Sequence, residues 1–143
     1  MSVLDQVQDD VKTALKAGDR ERVHALRLIA DALQMAETDN GGDPVEVLQR
    51  ERKRRLEAAE AYREGGRDDL AAGEEREADL IAGYMPEQVS DDELDAIVGD
   101  AVAESGATSP AEMGKVMALV MPQVKGRADG KRVSAVVKEK LTA

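Results

Sequence analysis

Tyr62 and Tyr84 are the only aromatic residues of this 143-residue chain, which has neither Phe nor Trp. Its core must therefore be assembled from Leu, Val, Ile, Met and Ala. Sheets draw on β-branched and aromatic residues in alternating runs, and no stretch here alternates convincingly. What recurs is the helical interval, as in Leu4, Val7, Val11 and Leu15, then Val23, Leu26, Ala30 and Leu33. The expected fold class is all-α.

Start and stop signals divide the chain into helices. Ser2 with Asp5 opens the first, Ala17-Gly18 stops it, and Asp19 caps the second. Thr38-Asp39-Asn40-Gly41-Gly42 reads as a flexible turn; no strand precedes it to make the glycines a phosphate loop. Asp43-Pro44-Val45-Glu46 combines cap, proline and returning acid, and opens a long helix to about Glu64. After Gly65-Gly66, a helix from Asp68 or Asp69 carries Leu70, Leu80, Ile81 and Tyr84 until Met85-Pro86 closes it. Glu87-Gln88-Val89 is then a linker, and Ser90-Asp91-Asp92-Glu93 a capping box for a helix on Leu94, Ile97, Val98, Ala101 and Val102. These signals predict a set of long antiparallel helices over residues 1–87 and a small three-helix domain over 88–143.

The chain's unusual chemistry lies between Ser109 and Arg132. Ser109, Pro110 and Glu112 are a cap, a first-position proline and a returning acid, followed by an apolar face of Met113, Val116, Met117 and Val120. Pro122, Gly126 and Gly130 are expected to break that helix into a basic loop before Asp129 caps the last helix, on Val133, Val136, Val137 and Leu141. Lys125, Arg127, Lys131 and Arg132 fall within eight residues of this loop. Such a loop at a helix N-terminus can receive phosphate through exposed N–H groups and cations. Alternatively Gly126 and Gly130 shape a tight turn in which Arg127 pairs with Asp129. The sequence leaves both readings open.

Charge narrows the choice of partner. The net charge is −10, yet residues 110–143 carry seven Lys/Arg against three acids, +4, which leaves −14 for the rest. Only the C-terminal third supplies a positive surface for nucleic acid. A second basic run, Arg50-Glu51-Arg52-Lys53-Arg54-Arg55, is either a phosphate patch or a solvated helix face paired through Glu46–Arg50, Glu51–Arg55 and Lys53–Glu57. Without cysteine there is no thiol nucleophile, disulfide or thiolate metal site, and His24 is the lone histidine. Gly126-Arg127-Ala128-Asp129-Gly130-Lys131-Arg132 fails as a phosphate-binding loop. Three residues rather than four separate its glycines, Arg follows the lysine, and no strand precedes it. No catalytic residue, metal ligand or cofactor is assigned. No apolar run reaches the ~18 residues of a membrane span, and the N-terminus does not read as a signal peptide, so a cytoplasmic location is expected.

Several of these pieces, taken in order, resemble the GatB/YqeY family, specifically the free-standing YqeY-like proteins. They are Asp19-Arg20-Glu21-Arg22 with Leu26-Arg27, Gly66-Arg67-Asp68-Asp69-Leu70, and Glu77 with Tyr84-Met85-Pro86-Glu87-Gln88. Most specific are Met113-Gly114-Lys115-Val116-Met117 and Lys125-Gly126-Arg127-Ala128-Asp129-Gly130-Lys131. The pattern departs at Ala58, where a serine is expected. The resemblance implies a C-terminal unit similar to the tail domain of the B subunit of tRNA-dependent amidotransferases, carbon–nitrogen ligases with glutamine as amido-N-donor. In that subunit the tail helps to engage tRNA. By this resemblance the chain is a tRNA-associated accessory module without a complete active site. Its expected partners are tRNA or an amidotransferase complex, and Lys115, Lys125, Arg127, Lys131 and Arg132 are the candidates to contact the RNA backbone. Gly126, Asp129 and Gly130 would shape the loop. The alternative is a helical protein–protein interaction module with no RNA role.

Overall fold

The computed structural model describes residues 1–40 and 42–142. It is all-α: seven helices and one turn of 3₁₀ helix, with no strand among the described residues. The expected turn residue Gly41 lies outside them. The chain divides into two compact units, Met1–Met85 and Pro86–Ala143.

The N-terminal unit is built from two helical hairpins, α1 (Val3–Ala17) with α2 (Arg20–Asn40) and α3 (Pro44–Glu64) with α4 (Asp68–Ala82). Local chemistry sets most of the ends. Ser2 and Asp5 form a complete capping box, and Gly18 closes α1 in the left-handed conformation at φ 72°. The Asp19 carboxylate accepts from the Arg22 N–H at 3.1 Å, and Asp43 accepts from the Val45 N–H at 2.9 Å. α2 outruns its expected end and continues to Asn40, with the Thr38 hydroxyl donating to the Gln34 carbonyl at 3.1 Å inside the helix.

Val7, Leu26, Ile29, Leu33, Val47, Leu48 and Ile81 form the core of this unit. α3 and α4 meet through small buried residues, Ala59, Ala71 and Ala78. Two members of the expected stripes are instead exposed, Leu15 and Leu70; Ala14 and Ala71 take the inward positions beside them. Ion pairs tie the helices laterally. Arg55 on α3, only 12% exposed, reaches Glu51 at 2.7 Å and Glu77 of α4 at 3.3 Å. Arg63 pairs with Glu75, and the Tyr84 hydroxyl donates to the Asp10 carboxylate.

In the C-terminal unit α5 (Asp91–Ser105), α6 (Met113–Val124) and α7 (Gly130–Thr142) pack mutually. Leu94 and Val98 of α5, Val116, Val120 and Val124 of α6, and Val133 and Val137 of α7 are buried together. α6 begins later than its motif suggests. Ser109 makes no side-chain cap, and Pro110–Glu112 is a single 3₁₀ turn. The Glu112 carboxylate instead bonds the Thr108 N–H at 2.6 Å. α6 also runs through Pro122 rather than stopping there. Pro122 is exposed, so water can reach the carbonyl one turn earlier that loses its helical donor.

Candidate nucleic-acid interface

The basic stretch between α6 and α7 is held in place. Gly126 at φ 76° lets the chain turn, and both Gly126 and Ala128 are buried. The Arg127 and Ala128 N–H groups both bond the Val124 carbonyl, at 2.7 and 3.1 Å. Asp129 caps α7, its Oδ1 accepting from the Arg132 N–H at 2.7 Å. Gly130 is the first residue of α7; its φ is not positive and nothing lies within 4 Å of where a Cβ would sit. Only Gly126 is therefore required by the turn.

The segment expected to be a linker clamps the loop. The Val89 N–H donates to the Arg127 carbonyl at 2.8 Å, and Gln88 Nε2 donates to the Gly126 carbonyl at 3.1 Å. Val89 itself is buried with the core. Two stretches singled out separately in the sequence, around Gln88 and around Arg127, thus form one piece of structure.

The five candidate cations occupy different settings. Arg127 does not pair with Asp129. Its Nε donates to the Glu87 carbonyl at 3.0 Å and its Nη2 to the Glu93 carboxylate at 3.2 and 3.3 Å, with 34% of the side chain exposed. Arg132 pairs with Asp91 at 2.8 Å and is 31% exposed. Lys115 lies on α6 and pairs with Glu112 at 3.4 Å. The Thr108 N–H, and secondarily Lys115, hold the Glu112 carboxyl below its usual range. Lys125, at the end of α6, and Lys131, in the first turn of α7, are exposed. Lys131 has no ion pair among the described residues.

Spacing rules did not reveal the anions opposite these arginines. Glu93 reads as the third residue of a capping box, and the Ser90 hydroxyl does accept from its N–H at 3.1 Å. Its carboxylate, however, serves Arg127. Lys140 likewise pairs with Asp95 at 3.0 Å. The available signal was the match between an acidic first half of the unit (Asp91, Asp92, Glu93, Asp95) and a basic second half. Over residues 86–143, seven Lys/Arg face ten Asp/Glu, a net −3.

The basic run on α3 is divided between pairing and solvent. Arg55 belongs to its network with Glu51 and Glu77, Arg54 approaches Glu51 at 3.8 Å, and Lys53 meets Glu57 at 3.9 Å. His24 is exposed. Among the described residues no three His, Cys, Asp or Glu side chains converge as a metal site, and no helix is long and apolar enough to cross a membrane.

A family model described as Yqey-like protein matches residues 4–141. A curated relative, "Altered inheritance of mitochondria protein 41, mitochondrial" of Pyrenophora tritici-repentis (strain Pt-1C-BFP), is 29% identical over 150 residues. That match covers 96% of this chain and 80% of the relative.

Proposed function

The chain belongs to the YqeY-like family, and from that premise we propose that it is a tRNA-associated accessory module, related to glutamine-dependent amidotransferases and lacking a complete active site. The observation that carries this reading is the clamped loop between α6 and α7. A basic loop that must meet an RNA backbone works best when its geometry is set beforehand, because less ordering entropy is then lost on binding. Arg127 and Arg132 position the loop through Glu93 and Asp91. Lys125 and Lys131, exposed at the two ends of the loop, are the side chains that meet phosphate, with Lys115 on the adjacent helix as a third. With two tyrosines in the whole chain, both in the other unit, base stacking has no platform in this unit, so recognition is of shape and backbone. The compartment this reading assigns is the cytoplasm.

The test is tRNA binding by the full chain between about 50 and 200 mM salt, a range over which phosphate contacts weaken measurably. Lys125→Ala and Lys131→Ala should each lower the log–log salt slope by roughly 0.7–0.9, and Lys131→Ala, at an exposed side chain with no ion pair among the described residues, should leave the melting temperature within a degree or so. Absent tRNA binding, or binding with slopes unchanged in both variants, would leave a protein-interaction module as the better reading.

A further inference from the structure

The first helical hairpin leaves a cleft of about 450 Å³ where α1 ends and α2 begins. Buried Ala14 and Val23 and the half-exposed Leu15 make its apolar side. α2 contributes Arg20, His24 and Arg27, and no carboxylate lines the cleft. Over residues 1–85, 13 Lys/Arg meet 20 Asp/Glu, so carboxylates are plentiful in this unit. Arg54, Arg55, Arg63, Arg67 and Arg76 are each ion-paired accordingly. The three bases of the cleft are not. All are exposed, and their side chains make no hydrogen bond or ion pair among the described residues.

Their spacing selects the ligand. They stand at i, i+4 and i+7 on one face of α2, roughly 10 Å from first to last at 1.5 Å per residue. Acids bound this stripe at both ends: Asp19 directly precedes Arg20, and Asp31 stands one turn beyond Arg27. Glu21 is taken up by Arg76 of α4 at 3.2 Å. A nucleic-acid strand laid along the stripe would bring its next phosphates against Asp31 or Asp19, and an acidic helix would meet the same repulsion. A small anion ends before either. The stripe is too long for one oxyanion and accommodates two. An arginine fork holds a carboxylate or phosphate through two parallel bonds, so one arginine at each end suits a molecule with an anionic group at each end. Clefts of this volume, apolar on one side with a few convergent polar groups, have the dimensions of small-molecule sites.

We propose that this cleft binds a small molecule carrying two anionic groups, phosphate or carboxylate. Arg20 and Arg27 each hold one group, and His24 donates between them. The site is separate from the basic loop and does not rest on RNA binding there.

His24 is the only histidine of the chain, so its imidazole signals in proton NMR report on the cleft alone. Pyrophosphate and succinate are titrated against the full chain at fixed pH and ionic strength, with inorganic phosphate and chloride as controls. At least one of the two probes should shift the His24 signals saturably and bind more tightly than phosphate, which engages a single arginine. The tighter probe identifies the anionic group. Arg20→Gln and Arg27→Gln should each weaken that probe by about tenfold, the loss of one charge-assisted contact. Arg50→Gln removes the same charge at an exposed, unpaired side chain on α3 and should leave the affinity unchanged. Thermal melts should be unaltered in all three variants, since none of these side chains has a partner to lose. Four results would overturn the proposal: no saturable shift with either probe, phosphate or chloride binding as tightly as both, an equal loss in Arg50→Gln, or tRNA shifting the His24 signals in a manner that Arg27→Gln abolishes. The last would assign the stripe to a nucleic-acid backbone.

Discussion

Replacing Arg127 by Ala tests whether this residue holds the fold or the RNA. In the structure its guanidinium donates to the Glu87 carbonyl at 3.0 Å and to the Glu93 carboxylate at 3.2 and 3.3 Å. A charged donor on a neutral carbonyl is worth about 1.5 kcal/mol when well shielded. An ion pair in partial contact with water adds roughly 0.2–1 kcal/mol. With a third of the side chain exposed, solvent screening pulls the first figure down, and the variant should lose about 1–2 kcal/mol. For a unit the size of residues 86–143, 1 kcal/mol corresponds to roughly 4–8 °C, so the lowering of Tm should be readily measured. The assay is circular-dichroism melting of the full chain at low and at high salt, with Glu93→Gln alongside. That variant should lose a smaller amount, because it keeps the bond to Glu87. An Arg127→Ala protein that melts like the parent yet binds tRNA more weakly would refute this assignment and return Arg127 to the contact surface.

Other consequences are open to equally direct measurement. Gly126→Ala should cost about 1–2 kcal/mol, because a Cβ disfavours its left-handed backbone, whereas Gly130→Ala should be neutral or slightly stabilising in the same melts. Arg55→Met leaves the Glu51 and Glu77 carboxylates without their shared cation and should cost about 2 kcal/mol in urea unfolding, less than the roughly 3–5 of a fully buried pair. Burial, and secondarily the bond to Asp10, hold the Tyr84 phenol protonated above its usual range. Its stabilising contribution is therefore complete below pH ~10 and is lost as pH rises towards the native value, so unfolding between pH 8 and 11.5 should show a decline that Tyr84→Phe removes. A fragment of residues 86–143 should melt cooperatively as a helical protein; a disordered chain would mean that its core is completed from the other unit.

Helices were legible in this sequence because their signals are local. Ser2 with Asp5, Asp19, and Asp43 with Pro44 each satisfy donors within three residues, so reading the pattern was enough. Two of the misjudged ends have equally local causes of a kind that propensity does not score. Glu112 rather than Ser109 supplies the side-chain bond at its turn, and the exposed Pro122 costs only one hydrogen bond. The loop's partners were not legible. Glu87 and Glu93 lie 40 and 34 residues from Arg127, and Asp91 lies 41 from Arg132. Spacing rules reach four residues along a helix, so a pairing of Arg127 with Asp129 is one of the two readings the sequence leaves open, whereas Asp129 caps α7.

These cross-pairs also bear on how a module of this kind could work. The C-terminal unit is net negative, and three of its bases face carboxylates on α5. At physiological salt the Debye length is about 8 Å, so a phosphate feels Lys131 only near contact, and no broad positive field draws RNA in from a distance. Binding through two or three such contacts is weak and strongly salt-dependent. Weak contacts become useful when a second attachment on the same chain raises the effective concentration of the first, by factors of roughly 10²–10⁴ in overall avidity.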